Sequence, residues 1–300
     1  MQIFFRLILL VAGAEVLTSV LTYPAWRLVQ TVADIPVHRV RDRVAMLLIV
    51  AGLVVFLPRW QLATRDVLGY SLPKRQFLRQ LGRGFAAGVS LVLPLVLALM
   101  GLGVRVPDAG LSAVALATFT AQGLLTGLAV GFIEETFFRG VIYEGIRRQS
   151  GIVLATLMST GVYAAGHFLG GHLRIPDDEV TFLSGIRVVG DTFASFAQPL
   201  ELVDSFLALA ALGILLCLIR ARTGAIAAGV GLHAGAVCVI TVLRKSSQVN
   251  PGSHWAWLVG SYDGVIGWLA LPWIAVIAVV YWHSFPATPR PTRTGVGTSN

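Results

Sequence analysis

The sequence predicts an all-α, polytopic membrane helix bundle of about eight transmembrane helices. Hydrophobic residues make up 56% of the chain and charged residues only 13%, and the mean hydropathy is +0.77. That composition is typical of integral membrane proteins rather than of soluble domains. We assign residues 1–283 to the bundle. Residues 284–300, rich in Pro, Thr and Gly, are predicted to form a disordered C-terminal tail.

The first predicted span covers residues 1–28. Its beginning resembles a signal peptide, with Arg6 before an apolar run, but the apolar pattern continues past Glu15 and favours an uncleaved helix. Glu15 would then lie inside this span, where it either faces protein or reaches toward the membrane surface. Seven further apolar segments of roughly spanning length follow, at 44–56, 85–102, 111–143, 152–168, 206–219, 225–242 and 265–282.

The loops between these spans carry most of the basic residues. With eight spans, the side shared by both termini holds the larger share of the 23 lysines and arginines, including the basic loop 59–83. Because positive charge marks the inner side, we expect both termini in the cytoplasm and the bundle in the cell (inner) membrane. The net charge of +8 is thus explained by orientation. No phosphate-binding loop or zinc-finger spacing is present, which excludes nucleic acid as an expected partner.

The loop 169–203 contains an amphipathic pattern. Apolar residues recur at spacings of four and three from Phe182 to Leu200, with polar residues between them. This predicts a helix that either rests on the bundle or covers an entrance to it.

Two adjacent carboxylates interrupt the most apolar part of the chain. Glu134, Glu135 and Arg139 lie in the run Gly-Phe-Ile-Glu-Glu-Thr-Phe-Phe-Arg-Gly, at residues 131–140. An ionisable residue within a span is energetically costly and therefore indicates a functional site. Glu135 and Arg139 are four residues apart and can pair on one helix face, whereas Glu134 is turned about 100° away. The plainer alternative is a helix end with solvated charges.

Small residues continue this face toward the N-terminus. Gly123, Gly127 and Gly131 recur at a spacing of four, on the same side as Glu135 and Arg139. Such a ridge lets a neighbouring helix approach closely. We therefore expect Glu135 and Arg139 to lock a helix contact and Glu134 to remain free for chemistry.

Residue counts along the spans place two histidines at nearly the same membrane depth as Glu134. The turn between the fourth and fifth spans falls near Gln149, about 15 residues after Glu134 and about 18 before His167, so the two differ in depth by roughly 4 Å. His233 lies within roughly 7–8 Å of the same level. His172 follows just beyond the fifth span, and Tyr163 precedes His167 by four residues, on the same helix face.

A carboxylate with two imidazoles suits hydrolysis. The carboxylate and one imidazole can hold and deprotonate a water molecule, and the second imidazole can donate to a developing oxyanion. Zinc held by Glu134, His167 and His233 is the alternative, which the absence of a His-Glu-x-x-His helix makes weaker. We expect no cofactor, with zinc kept as the exception. A packed histidine bonded to a backbone carbonyl is the non-catalytic interpretation of each imidazole.

These residues resemble the CAAX-protease and bacteriocin-processing family of intramembrane proteases, which includes prenyl-protein endopeptidases. Glu134 to Arg139 matches its Glu-Glu-x-x-x-Arg motif. Tyr163 to His167 resembles its Phe-x-x-x-His motif with Tyr for Phe, and His233 matches its third motif. Val237 stands where the family has Asn or a similar polar residue. The resemblance covers roughly residues 111–242, the expected catalytic core.

The resemblance implies a glutamate-type intramembrane endopeptidase. Glu134 would be the base assisted by His167, and His233 would help form the oxyanion site, with Glu135, Arg139, Tyr163 and Val237 in supporting positions. Its partners would be the lipid bilayer and a membrane-associated protein or peptide substrate. Two alternatives stay open: a catalytically inactive relative acting as an immunity or scaffold protein, and a transporter lined by Glu15, Glu134 and Asp263.

Overall fold

The structure is a computed structural model that describes residues 1–170, 173–260 and 262–284. It is an all-α bundle, which confirms the predicted fold class. The helices are α1 (Gln2–Val29), α2 (Val37–Arg59), α3 (Arg65–Leu68), α4 (Lys74–Gly101), α5 (Ala113–Glu135), α6 (Glu144–Gly166), α7 (Ser184–Asp191), α8 (Val203–Thr223), α9 (Ala227–Ser246) and α10 (Ala270–Ser284).

The long helices correspond to the predicted spans. Within the described ranges, five helical segments are long and apolar enough to cross a membrane, and one of them, Ala113–Gly166, combines α5 and α6. The shorter apolar α10 and the more polar α2 occupy the last and second predicted spans. The chain is therefore an integral membrane protein. The predicted tail lies almost entirely outside the described residues.

The chain reverses direction at Gly151. This residue has φ +83°, a conformation that side-chain-bearing residues rarely adopt, and it interrupts α6 after its second turn. Residues 152–166 then run back beside the preceding helix. Between α5 and α6 the backbone is wound as a π-helix over Thr136–Tyr143. The predicted turn near Gln149 is thus confirmed, whereas the π-helix had no counterpart in the sequence pattern.

Helix α9 lies between α4 and α5 at very short range. A Cβ atom added to Gly127 of α5 would lie 2.5 Å from the carbonyl oxygen of Ala234, and one added to Gly88 of α4 would lie 2.1 Å from that of Leu232. No side chain fits at such distances, so glycine is required at both contacts. The predicted glycine ridge does face a neighbouring helix, and that helix carries His233.

Two further groups of helices complete the bundle. Helix α8 packs against α6 and α10 and closes the main apolar core with α4 and α9. Helices α1 and α2 pack together, and α1 meets the π-helix and α6. Glu15 of α1 faces α2, where its carboxylate lies 2.5 Å from the buried guanidinium of Arg41. Glu15 therefore faces protein, one of the two alternatives that the sequence left open.

The loop between α6 and α8 departs in part from the predicted amphipathic helix. Among the residues of this loop that the structure describes, only Ser184–Asp191 forms an α-helix, and short 3₁₀ turns follow at Ala194–Ala197 and Pro199–Glu201. Gly185 and Val188 face the bundle, whereas Ile186 is 56% exposed. The predicted pattern from Phe182 to Leu200 is therefore α-helical over part of its length, and that part rests on the bundle, with Gly185 against the backbone of Ser19.

At the end of the bundle away from Met1 and Ser284, two short strands pair. Strand β1 (Arg105–Pro107) is antiparallel to β2 (Ser247–Val249), with Val106 opposite Gln248. The guanidinium of Arg105 donates to the hydroxyl and carbonyl oxygens of Ser247. This pair links the end of α4 to the end of α9 and fixes both helices at one level.

Candidate active site

Glu135 and Arg139 form a fully buried ion pair. One guanidinium nitrogen of Arg139 donates to Oε1 of Glu135 at 2.9 Å, and neither side chain is more than 1% exposed. A second nitrogen donates to the carbonyl oxygen of Gly213 on α8 at 3.3 Å. A Cβ atom on Gly229 of α9 would lie 2.7 Å from Oε2 of Glu135. The predicted pair therefore locks α5 between α8 and α9.

Glu134 faces both imidazoles. Its Oε2 lies 4.0 Å from Nε2 of His167, which directly follows α6, and 3.7 Å from Nε2 of His233 on α9. This oxygen is buried and has no hydrogen-bond partner among the described residues, although the side chain as a whole is 25% exposed. Three helices thus bring the predicted catalytic side chains together at one depth. His172 lies outside the described residues.

Hydrogen bonds fix the orientation of the two rings. Nδ1 of His167 lies 2.8 Å from the backbone carbonyl oxygen of Tyr163, and because a carbonyl can only accept, Nδ1 is the donor. Nδ1 of His233 lies 3.5 Å from the Glu135 carboxylate, which also accepts. Each ring therefore turns its Nε2 toward Glu134, where a neutral ring accepts a hydrogen bond and a ring protonated on both nitrogens donates one.

Tyr163 and Arg139 support the rings from behind. The ring of Tyr163 packs edge-on against His167 at 4.6 Å between centroids and against His233 at 6.3 Å. The guanidinium carbon of Arg139 lies 4.4 Å from the centre of the Tyr163 ring, a cation–π contact. Arg139 consequently acts on both imidazoles, through Glu135 on His233 and through Tyr163 on His167.

Val237 occupies the position where a polar side chain was expected. It lies one helical turn beyond His233 on α9 and is half-buried. Its apolar side chain cannot donate a hydrogen bond, so this position contributes no oxyanion donor.

A large apolar cavity reaches Glu134 from the side of α1 and α2. Its volume is about 1160 Å³, and its walls come from α1, α2, α5, the π-helix, α6 and the loop after α7. Glu134, Glu15, Arg41 and Asp42 are the charged side chains among the described residues that line it. A cavity of this size and character suits an apolar chain segment or a lipid-like group.

Tyr262 is a site residue that the sequence analysis missed. It lies in the loop between β2 and α10, with its ring centroid 6.1 Å from that of His167 and 5.3 Å from that of Phe168. Burial, aided by the nearby Asp263 carboxylate, raises the pKa of Tyr262 to about 12, so its phenol stays protonated at neutral pH. The residue belongs to no motif and no apolar span, and only the folded loop brings it to His167.

The three central residues also match a donor set that binds zinc. Two imidazoles and a carboxylate are ligands of some catalytic zinc ions, and Glu134, His167 and His233 would hold such an ion. Over residues 1–170, 173–260 and 262–284, however, no three histidine, cysteine or acidic residues are arranged as a metal-binding group.

The comparison with known protein families agrees with the motifs. Residues 116–239 match the family model described as Rce1-like, type II CAAX prenyl endopeptidase. This segment lies inside the predicted catalytic core and contains every residue of the Glu134 site except Tyr262. No curated protein and no solved structure matches the chain. Over these residues the match confirms the chain's resemblance to the CAAX-protease and bacteriocin-processing family of intramembrane proteases.

Proposed function

We propose that this protein is an intramembrane endopeptidase that hydrolyses a peptide bond of a membrane-associated protein or peptide with a water molecule activated by Glu134. The observation that carries the proposal is the convergence of Oε2 of Glu134 and two imidazole Nε2 atoms within 4.0 Å. They lie beside an apolar cavity open to Glu134. The family match supports protease activity in general.

In the proposed mechanism, the chain supplies a base, a second acceptor and an oxyanion donor. Glu134 and Nε2 of His167 accept hydrogen bonds from the water, and Glu134 takes its proton as the oxygen attacks the scissile carbonyl. His233, protonated on both nitrogens, keeps Nδ1 on Glu135 and donates Nε2–H to the oxyanion. The protonated Glu134 then transfers its proton to the leaving amine, which restores the carboxylate.

The missing donor at Val237 yields a first prediction. We expect Val237→Asn to raise kcat, because one oxyanion donor is typically worth about 10²–10³-fold in rate. The measurement is single-turnover cleavage of one peptide by wild type and variant, with Tyr163→Phe as the comparison. If Tyr163→Phe slows cleavage and Val237→Asn changes nothing, Tyr163 supplies the donor. No change in either folded variant would refute an oxyanion role for this side of the site.

Metal dependence is tested by chelation. We expect activity to survive prolonged treatment with a strong zinc chelator, because a carboxylate and an imidazole can activate water without a metal. A zinc-dependent peptidase treated in parallel is the control. Activity that disappears with the chelator and returns with zinc would instead assign Glu134, His167 and His233 as metal ligands.

The proposed activity itself is tested with purified protein in lipid vesicles and a library of membrane-associated peptides. Mass spectrometry of the products identifies the cleaved bond, and proteins that accumulate uncut in a deletion strain identify natural substrates. Persistent absence of cleavage would favour the inactive immunity or scaffold relative, and ion-coupled uptake by the vesicles would favour a transporter. We further propose that both termini face the cytoplasm, on the distribution of lysine and arginine.

A further inference from the structure

A second, polar cavity meets the apolar one at the reacting atoms. It has a volume of about 550 Å³ and is lined by His167, Ser195, Gln198, Glu201 and Tyr262, among others. His167 lines this cavity and Glu134 lines the apolar one, yet their facing atoms are only 4.0 Å apart. The site therefore lies at the junction of a strongly apolar compartment and a more polar one.

The loop after α7 forms the wall between the two compartments. Phe193 and Phe196 line the apolar cavity, whereas Ala194 and Ser195 line the polar one. The backbone N–H of Gly170 donates to the carbonyl oxygen of Thr192 at 3.2 Å, which ties the loop to the end of α6 beside His167. One short segment thus sends phenylalanine rings to one side and small or polar side chains to the other.

The polar cavity lies far along the bundle from the start of α1. The terminal amine of Met1 donates to the side chains of Gln149 and Ser150, at 2.9 and 3.2 Å, so α1 begins where the chain reverses. From that level His167 is farther along the returning helix by about 25 Å, at 1.5 Å per residue. Tyr70 and Phe77, from the predicted basic loop 59–83, reach the level of Glu134, because the ring of Phe77 stacks on that of Phe132 and the hydroxyl of Tyr70 lies 2.6 Å from that of Thr136.

We propose that the polar cavity is the substrate's second subsite. It receives a polar segment that adjoins the scissile bond, while the apolar cavity holds the membrane-embedded segment on the other side. This inference rests on the proposed protease function. It defines the substrate class as membrane-anchored peptides that are cut where an apolar segment gives way to polar residues.

Chemistry and size support this assignment. A peptide bond can reach the catalytic atoms only if the chain continues on both sides of it, and the two cavities provide two directions from one point. Hydroxyl, amide and phenol groups from Ser195, Gln198 and Tyr262 offer donors and acceptors to a peptide backbone and to polar side chains. A volume of about 550 Å³ lies within the usual range of binding pockets, about 300–1,000 Å³.

The test combines a substitution that fills the polar cavity with a substrate peptide that is shortened on its polar side. Ser195→Trp places a large ring in the cavity, and Leu200→Trp is the matched control, because Leu200 is in the same loop, is 88% exposed and lines neither cavity. Each variant is assayed with a peptide that the wild type cleaves and with the same peptide truncated just beyond the scissile bond on its polar side. We expect Ser195→Trp to lower kcat/KM for the full peptide by about 10–200-fold. Cleavage of the truncated peptide should change less than about twofold.

The truncated peptide also reports whether Ser195→Trp is folded. If that variant cleaves neither peptide, the wild type is assayed with a peptide whose polar segment is replaced by leucines. An unchanged kcat/KM for this leucine peptide would overturn the subsite. Equal cleavage of both peptides by Ser195→Trp and Leu200→Trp would overturn it as well. In either case the proposed protease function stands, because the wild type still cleaves. Failure of the wild type to cleave any peptide would contradict the proposed function and the subsite together.

Discussion

The Glu134→Gln variant is expected to lose peptide cleavage while unfolding at the same temperature as the wild type. General-base catalysis contributes about 10²–10⁴-fold to rate, so kcat should fall by at least that range. Glutamine has nearly the shape of glutamate but cannot accept the water's proton. Oε2 of Glu134 has no hydrogen-bond partner among the described residues, so little stabilisation is lost. The measurements are kcat in vesicles and thermal unfolding in detergent.

The same experiment distinguishes catalysis from binding. The variant should still bind the substrate peptide with near wild-type affinity, because the apolar cavity is unchanged. A Glu134→Gln protein that keeps its turnover within tenfold of wild type would eliminate Glu134 as the base. The role would then pass to another group near the two imidazoles.

The variants Glu135→Gln and Arg139→Ala should each lose folding stability as well as activity. Each substitution leaves the partner charge buried and uncompensated, a loss on the order of 3–5 kcal/mol for a fully buried pair. Activity should fall because Glu135 holds Nδ1 of His233 and Arg139 packs on Tyr163. Denaturation in mixed micelles measures the stability, and Glu134→Gln is the matched control, one residue away on the same helix.

A double variant, Glu135→Gln with Arg139→Ala, separates the pair from its surroundings. Because it removes both charges, it should be destabilised less than the sum of the two single variants. Strict additivity would show that the pair does not couple. Equal stability of Glu134→Gln, Glu135→Gln and Arg139→Ala would contradict the division of roles between the two glutamates.

The meeting of the site residues could be anticipated because helix geometry is regular. Counting residues from the turn near Gln149 places His167 within roughly 4 Å of Glu134 in depth. The structure brings the two side chains together, with 4.0 Å between Oε2 of Glu134 and Nε2 of His167. The pairing of Glu135 with Arg139 followed from their spacing of four. The catalytic roles of these residues stay predictions, since proximity does not measure reactivity.

Other features depend on irregular backbone and were not predictable in this way. Tyr262 reaches His167 from a loop whose path no periodic pattern describes. The partner of Glu15 was open because hydropathy gives the depth of a span but not the face that it turns to its neighbour. The two cavities on either side of the Glu134–His167 junction depend on how the loop after α7 folds, which amphipathic spacing describes only in part.

The π-helix at Thr136–Tyr143 has a consequence for the orientation of the helices on either side of it. Its hydrogen bonds run from i to i+5, so it holds more residues per turn than the α-helices that flank it. An α-helix turns by about 100° per residue, more than a π-helix does, so rewinding the same eight residues as an α-helix would rotate one half against the other. Either Glu134 and Glu135 would turn away from α9, or Gly140 would leave its contact with the backbone of Leu68. The π-helical winding between Glu135 and Glu144 thus sets the rotational phase of the two halves.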